Sequence, residues 1–131
     1  MSEPLLLAIA AAVGYGFGCI PVANLVAARR GVDDLREAGD RNPGYWNARR
    51  VLGVRGALPI LLLDAAKGAA AVAVGFALAG LWGGIAGWAG VVLGHMFPVT
   101  MRFRGGRSLL CLAGGAIVIA PIPCAIAGIA L

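Results

Sequence analysis

From Gly68 to Met101 no residue carries a formal charge, and this run limits the fold more than any other feature. A helix crossing the apolar core of a bilayer needs roughly 20 residues. The run is too long for one ordinary span, and it has too little polarity to form the surface of a small soluble domain. Composition agrees: 60% of the chain is hydrophobic and 13% is charged, against roughly 25% charged in soluble domains. The 21 glycines are small enough to let helices approach closely. A secreted domain, a disordered tail and a cytosolic enzyme all fit poorly. The expected class is all-α, a polytopic membrane protein forming one integral-membrane domain over 1–131.

The charges are clustered. Arg29, Arg30, Arg36, Arg41, Arg49, Arg50 and Arg55 share one segment with Asp33, Asp34, Glu37 and Asp40, and Arg102, Arg104 and Arg107 form a second group. Glu3, Asp64 and Lys67 complete the set. Two polar loops between spans account for this layout, and a net charge of +5 fits an anionic leaflet better than nucleic acid. Cys19, Cys111 and Cys124 lie in apolar runs without a CxxC or Cys/His cluster, so they read as buried small hydrophobes and no metal centre is expected.

About four spans follow, near 5–28, 57–78, 81–99 and 109–131. Pro21 should kink the first, Pro59 should sit in the first turn of the second, and Gly80–Gly84 should turn the chain into the third. Pro121 and Pro123 should interrupt the fourth. An alternative merges Ala69–Leu93 into one helix and leaves three spans. Ten of the eleven basic residues fall in the loops after spans one and three, which places both loops in the cytoplasm and the N-terminus outside. Gly83/Gly87 and Gly90/Gly94 have the small-xxx-small spacing of close helix contacts.

A nucleophilic triad is hard to build, because Ser2 and Ser108 are the only serines and His95 the only histidine. Two loops carry other chemistry. Gly39–Arg50 combines glycines, asparagines and arginines, and Phe103-Arg104-Gly105-Gly106-Arg107 repeats the theme. Backbone N–H groups, amides and guanidinium forks are what holding a phosphate at a membrane surface requires. The alternative is charge that only sets topology. Asp64 and Lys67, three apart on one helix face, can pair. They read either as functional polar residues inside the membrane or as a structural ion pair with Lys67 snorkelling. His95 reads as a residue that hydrogen-bonds at a helix end.

Taken in order, these segments resemble the bacterial membrane acyl-phosphate:glycerol-3-phosphate acyltransferases, the PlsY family. Gly18-Cys19-Ile20-Pro21 resembles that family's GSIP, and Gly39–Arg50 its GSGNxGxTNxxR loop. Leu61–Gly68 resembles LLLDxxKG, and Gly94–Pro98 with Phe103–Arg107 resembles GHxFP followed by FxGGKG. The resemblance implies a bacterial cytoplasmic-membrane enzyme without cofactor. Such an enzyme moves a fatty acyl group from acyl phosphate to the 1-hydroxyl of glycerol 3-phosphate, giving lysophosphatidic acid for phospholipid synthesis. It implies Arg50 and Arg107 as catalytic residues, and Asn42, Gly44, Asn47, Gly105 and Gly106 as phosphate-binding residues. Asp64, Lys67 and His95 would support them. Membrane lipid is the other partner, and the resemblance leaves room for an oligomer or a helper subunit.

The departures are Asp40 for Ser, Arg41 for Gly, Trp46 for Thr, Arg107 for Lys and Ser108 for Gly. A carboxylate about 4 Å from a phosphate charge costs roughly 1–4 kcal/mol. The family has about seven spans, and this chain reaches Leu131 in or just after the fourth, so a C-terminally short enzyme is the expectation. The alternative is a catalytically degenerate relative that binds anionic lipid or a membrane partner.

Overall fold

The computed structural model describes residues 1–121, and among these every regular element is helical. Helix α1 runs Glu3–Gly18, with Pro4 in its first turn and Glu3 at its electropositive end. It stops because Pro21 has no N–H and disfavours helical backbone at Ile20. The chain resumes as α2, Val22–Ala28. The expected kink is therefore a full interruption at 19–21, and it has a use. The carbonyl of Cys19 accepts from Thr100 Oγ1, and that of Ile20 accepts from Lys67 Nζ at 2.9 Å.

Helix α3 spans Tyr45–Met96, with non-helical backbone at Gly53 (φ 74°) and at Ala79 (φ −149°) and Gly80 (φ 59°). It thus comprises segments 45–52, 54–78 and 81–96. The second and third run antiparallel, with Gly75 against Gly83 and Ala71 against Gly87. The Ala69–Leu93 segment is not one helix, and the turn is tighter than Gly80–Gly84. Gly83 and Gly84 are already helical and buried. Pro59 lies inside the helix rather than in its first turn, because the helix extends back past the exposed Arg55. Segment 81–96 ends at Met96, short of Val99, where Phe97 (φ −127°, ψ 56°) leaves the helix ahead of Pro98.

Helix α4, Leu109–Ile119, ends at Ala120 (φ −136°), just before Pro121. The remainder of the expected fourth span, with Pro123, lies outside the described residues.

By length and composition Glu3–Ala28 and Tyr45–Met101 could each cross a membrane, with mean hydropathy of 2.1 and 1.9. Only 28% of each apolar window is buried, and large side chains such as Leu62, Phe76, Trp82 and Ile117 point outward. An apolar exterior of this kind is matched to lipid. Helices are held together by small residues: a methyl at Gly90 would overlap the Ala11 carbonyl, and one at Gly94 the Tyr15 carbonyl. This docks 81–96 on α1. Gly68 and Gly114 dock α4 on 54–78 in the same manner.

Candidate active site

The loop between α2 and α3 is built by its own side chains. Asp34 Oδ1 accepts from the Arg36 N–H (2.8 Å) and from Asn24 Nδ2 (3.0 Å). The Arg36 guanidinium grips the same carboxylate through Nε at 2.8 Å. Those guanidinium bonds hold the Asp34 carboxyl down at about 2, against the opposing effect of partial burial. Leu35, fully buried, plugs a bed of Ala23, Ala27, Ala48, Ala57 and Ile60.

Asn47 is also fully buried. Its Nδ2 donates to the carbonyls of Leu35 (3.0 Å) and Ala38 (2.9 Å), and its Oδ1 accepts from the Asp40 N–H (2.9 Å). Gly39, at φ 59°, is where the chain passes over this amide, and a methyl there would overlap Asn47 Oδ1. Asp40 Oδ1 accepts from the Asn42 N–H at 3.0 Å. The acid thus closes its own turn, a task a serine hydroxyl also performs.

The loop between α3 and α4 is held from outside. The N–H of Gly105 donates to the Met96 carbonyl (3.1 Å) and that of Gly106 to the His95 carbonyl (3.0 Å). These bonds satisfy carbonyls at the end of α3. A methyl on Gly106 would come within 2.7 Å of His95 Nε2. Tyr15 Oη donates to the Phe97 carbonyl (2.8 Å), and Arg36 Nη1 to that of Met101 (3.0 Å). The last contact ties the two loops together.

Behind them lies a buried polar cluster. Lys67 Nζ stands 2.9 Å from Asp64 Oδ1, an ion pair without the alignment of a hydrogen bond. It also lies 3.3 Å from His95 Nδ1. Lysine can only donate, so Nδ1 accepts and a neutral His95 carries its proton on Nε2. Asp64, His95 and Cys111 bring ligand-type atoms within 4.8 Å of one another. The Lys67 ammonium already supplies the positive charge that a metal would bring to Asp64.

A cavity of about 70 Å³ opens above this cluster, lined by Asn42, Gly44, Tyr45, Trp46, Asp64, His95, Arg107, Ser108, Leu109 and Leu110. Gly44, Tyr45 and Trp46 are the N-cap and first turn of α3, and Ser108, Leu109 and Leu110 those of α4. Two helix N-termini therefore face one cavity beside a guanidinium. First-turn N–H groups lack intrahelical acceptors and carry the positive end of the helix dipole, so this is a setting for an anion.

Of the expected site residues, Asn42, Gly44, Asp64, His95 and Arg107 line the cavity. Lys67 stands behind Asp64. The other four are placed differently from expectation. Asn47 spends all three of its hydrogen bonds on the loop backbone, and Gly105 and Gly106 have donated their N–H groups to α3. Arg50 is 71% exposed, 3.8 Å from Asp40 Oδ2. Sequence reasoning missed Ser108 and the Arg36 tether. A serine directly before an apolar run is an N-cap signal that marks Ser108; nothing local marks Arg36.

The glycerol-3-phosphate acyltransferase family profile matches residues 8–131. A glycerol-3-phosphate acyltransferase of Agrobacterium fabrum is 39% identical over 121 residues, covering 92% of this chain and 59% of that protein. One from a Synechococcus species is 42% identical over 106 residues, covering 81% and 52%. The chain thus spans between half and three-fifths of the length of these relatives. The crystal structure of PlsY, an integral membrane glycerol 3-phosphate acyltransferase in its glycerol 3-phosphate form, superposes with a TM-score of 0.82 at 27% identity. That match covers 98% of this chain and 63% of PlsY. With its outward apolar surface, the chain is an all-α, polytopic membrane protein, and it belongs to the glycerol-3-phosphate acyltransferase family.

Proposed function

We propose that the chain carries the phosphate-holding site of a membrane acyltransferase. The enzyme would move a fatty acyl group from acyl phosphate to the 1-hydroxyl of glycerol 3-phosphate. The observation that carries this reading is the convergence of two helix N-termini, Arg107 and Asn42 on one cavity floored by Asp64 and His95. The hydroxyl oxygen attacks the acyl carbonyl carbon, the carbonyl–oxygen bond to phosphate breaks, and inorganic phosphate leaves with the ester formed. The hydroxyl proton passes to the departing phosphate or to the polar floor. A mixed anhydride already has a good leaving group, so positioning and charge stabilisation carry the barrier without a nucleophilic triad.

In this reading Arg107 and Asn42 hold phosphate, Gly44 lets it approach the α3 N-terminus, and Asn47, Gly105 and Gly106 keep the two loops in place. Lys67 neutralises Asp64 so that the floor does not repel the anion. Arg50 contributes from the rim as a screened charge. The positive-inside rule puts both loops in the cytoplasm and the N-terminus outside, with α1–α2 and the 54–78 and 81–96 segments of α3 crossing a bacterial inner membrane and α4 beginning a further span. A second copy or another subunit can pack on the outward apolar faces.

The test is purified protein in detergent with acyl phosphate and glycerol 3-phosphate. Lysophosphatidate and phosphate should form in equal amounts. A folded sample that binds anionic lipid without turnover would instead establish the degenerate-relative reading.

A further inference from the structure

Ser108 has no part in the folding of either loop. Its side chain is 2% exposed, yet its Oγ has no hydrogen-bond partner among the described residues. A buried hydroxyl without a partner is costly, and such groups usually serve a ligand or bind water. The neighbouring Cys111 thiol is a weak partner at best. Ser108 lines the same cavity as Arg107 and Asn42 and is the N-cap of α4, where an N-cap serine ordinarily accepts from its own helix. Here it makes no such bond. Its backbone is left-handed, at φ 60° and ψ 12°, a region unfavourable to a residue with a β-carbon. Strain of this kind persists where surrounding structure enforces it, often at ligand sites.

We infer that Ser108 is a substrate-contacting residue: its hydroxyl donates to a phosphate oxygen held between Arg107 and the first-turn N–H groups of α4. This rests on the acyltransferase reading for the identity of the substrate, though not for the presence of a phosphate. Serine suits the position because it both donates and accepts, so it can follow the anion's protonation state. Asp64, which also lines the cavity, has its charge matched by Lys67 at 2.9 Å, so it does not repel the anion.

The left-handed backbone supplies a clean test. Ser108→Gly removes the hydroxyl and relieves the strain together, so structure and binding should move in opposite directions. In the full chain in detergent, its melting temperature should equal or exceed that of the parent chain. Its affinity for inorganic phosphate and for glycerol 3-phosphate, measured by titration calorimetry, should fall about tenfold, as for loss of a hydrogen bond to a charged group. Ser108→Ala should lose the same affinity while keeping the strain. Unchanged affinity in either folded variant overturns the assignment, as does a parent chain that binds neither probe. A parent chain that binds both without turnover keeps Ser108 in its role and overturns the acyl-transfer reading instead.

Discussion

The loop between α2 and α3 spends most of its charged and amide side chains on its own frame, whereas the loop between α3 and α4 leaves its arginines out of ion pairs among the described residues. In the first, Asp34, Arg36, Asn47 and Asp40 all bond within the segment, and acids accompany its arginines. In the second, none of the ion pairs among the described residues involves Arg102, Arg104 or Arg107. Its anchors come from Tyr15, Arg36, the end of α3 and its own Thr100 hydroxyl on the Cys19 carbonyl. Similar residue types therefore build a frame in one place and a surface of arginines without ion-pair partners among the described residues in the other. A polar residue's role depends on whether its hydrogen bonds are already taken.

Asn47→Ala strikes the frame and should have the largest effect on stability. It strips partners from two carbonyls and one N–H around a fully buried side chain, costing about 3 kcal/mol. The check is thermal unfolding in detergent. Asn47→Asp should be at least as damaging, since a carboxylate would face the Leu35 and Ala38 carbonyls. If Asn47→Ala melts like the parent and loses only substrate affinity, the two loops are not built differently.

Arg107→Ala strikes the cavity-lining side of the second loop. It should weaken glycerol 3-phosphate binding roughly 10–100-fold, the value of a charge-assisted hydrogen bond, with little change in melting temperature. Arg50→Ala, at a side chain 71% exposed, should cost less than about threefold. Equal losses from the two would place the anion outside the cavity.

The smallest effect concerns pH. Asp34 has its folded value lowered from 3.8 to about 2, so its contribution to stability is fully present above about pH 4. It is lost as pH falls through about 2. The difference in melting temperature between the parent and Asp34→Asn should therefore shrink across that interval. A difference that stays constant would mean the Asp34–Arg36 pair adds nothing to the frame.

Much of the fold was legible because its determinants are local. Uncharged runs marked helices in lipid, Pro21 and Pro121 marked breaks, and glycine spacing marked helix contacts. The ends of α3 were less legible. Gly53 sits at φ 74°, yet its neighbours on both sides are helical, so the helix extends well before Pro59. At the site, residue types were read more easily than their use. Asn47, Gly105 and Gly106 look like phosphate donors in sequence, but their partners lie across turns that the sequence does not display. Asp40 looked like an obstacle to an anion, and its carboxylate caps the Asn42 N–H instead. Ser108 stood out in the sequence only as one of two serines and as a departure from the family's glycine, because its burial without a partner exists only in three dimensions.

The central claim is that the anion sits between the two helix N-termini. Crystals of the full chain grown with tungstate, a heavy mimic of phosphate, test it most directly. Anomalous density should appear in the cavity, within hydrogen-bond distance of Arg107 and Ser108 Oγ. A well-ordered tungstate at the exposed Arg49–Arg50 face, with none beside Ser108, would contradict the account.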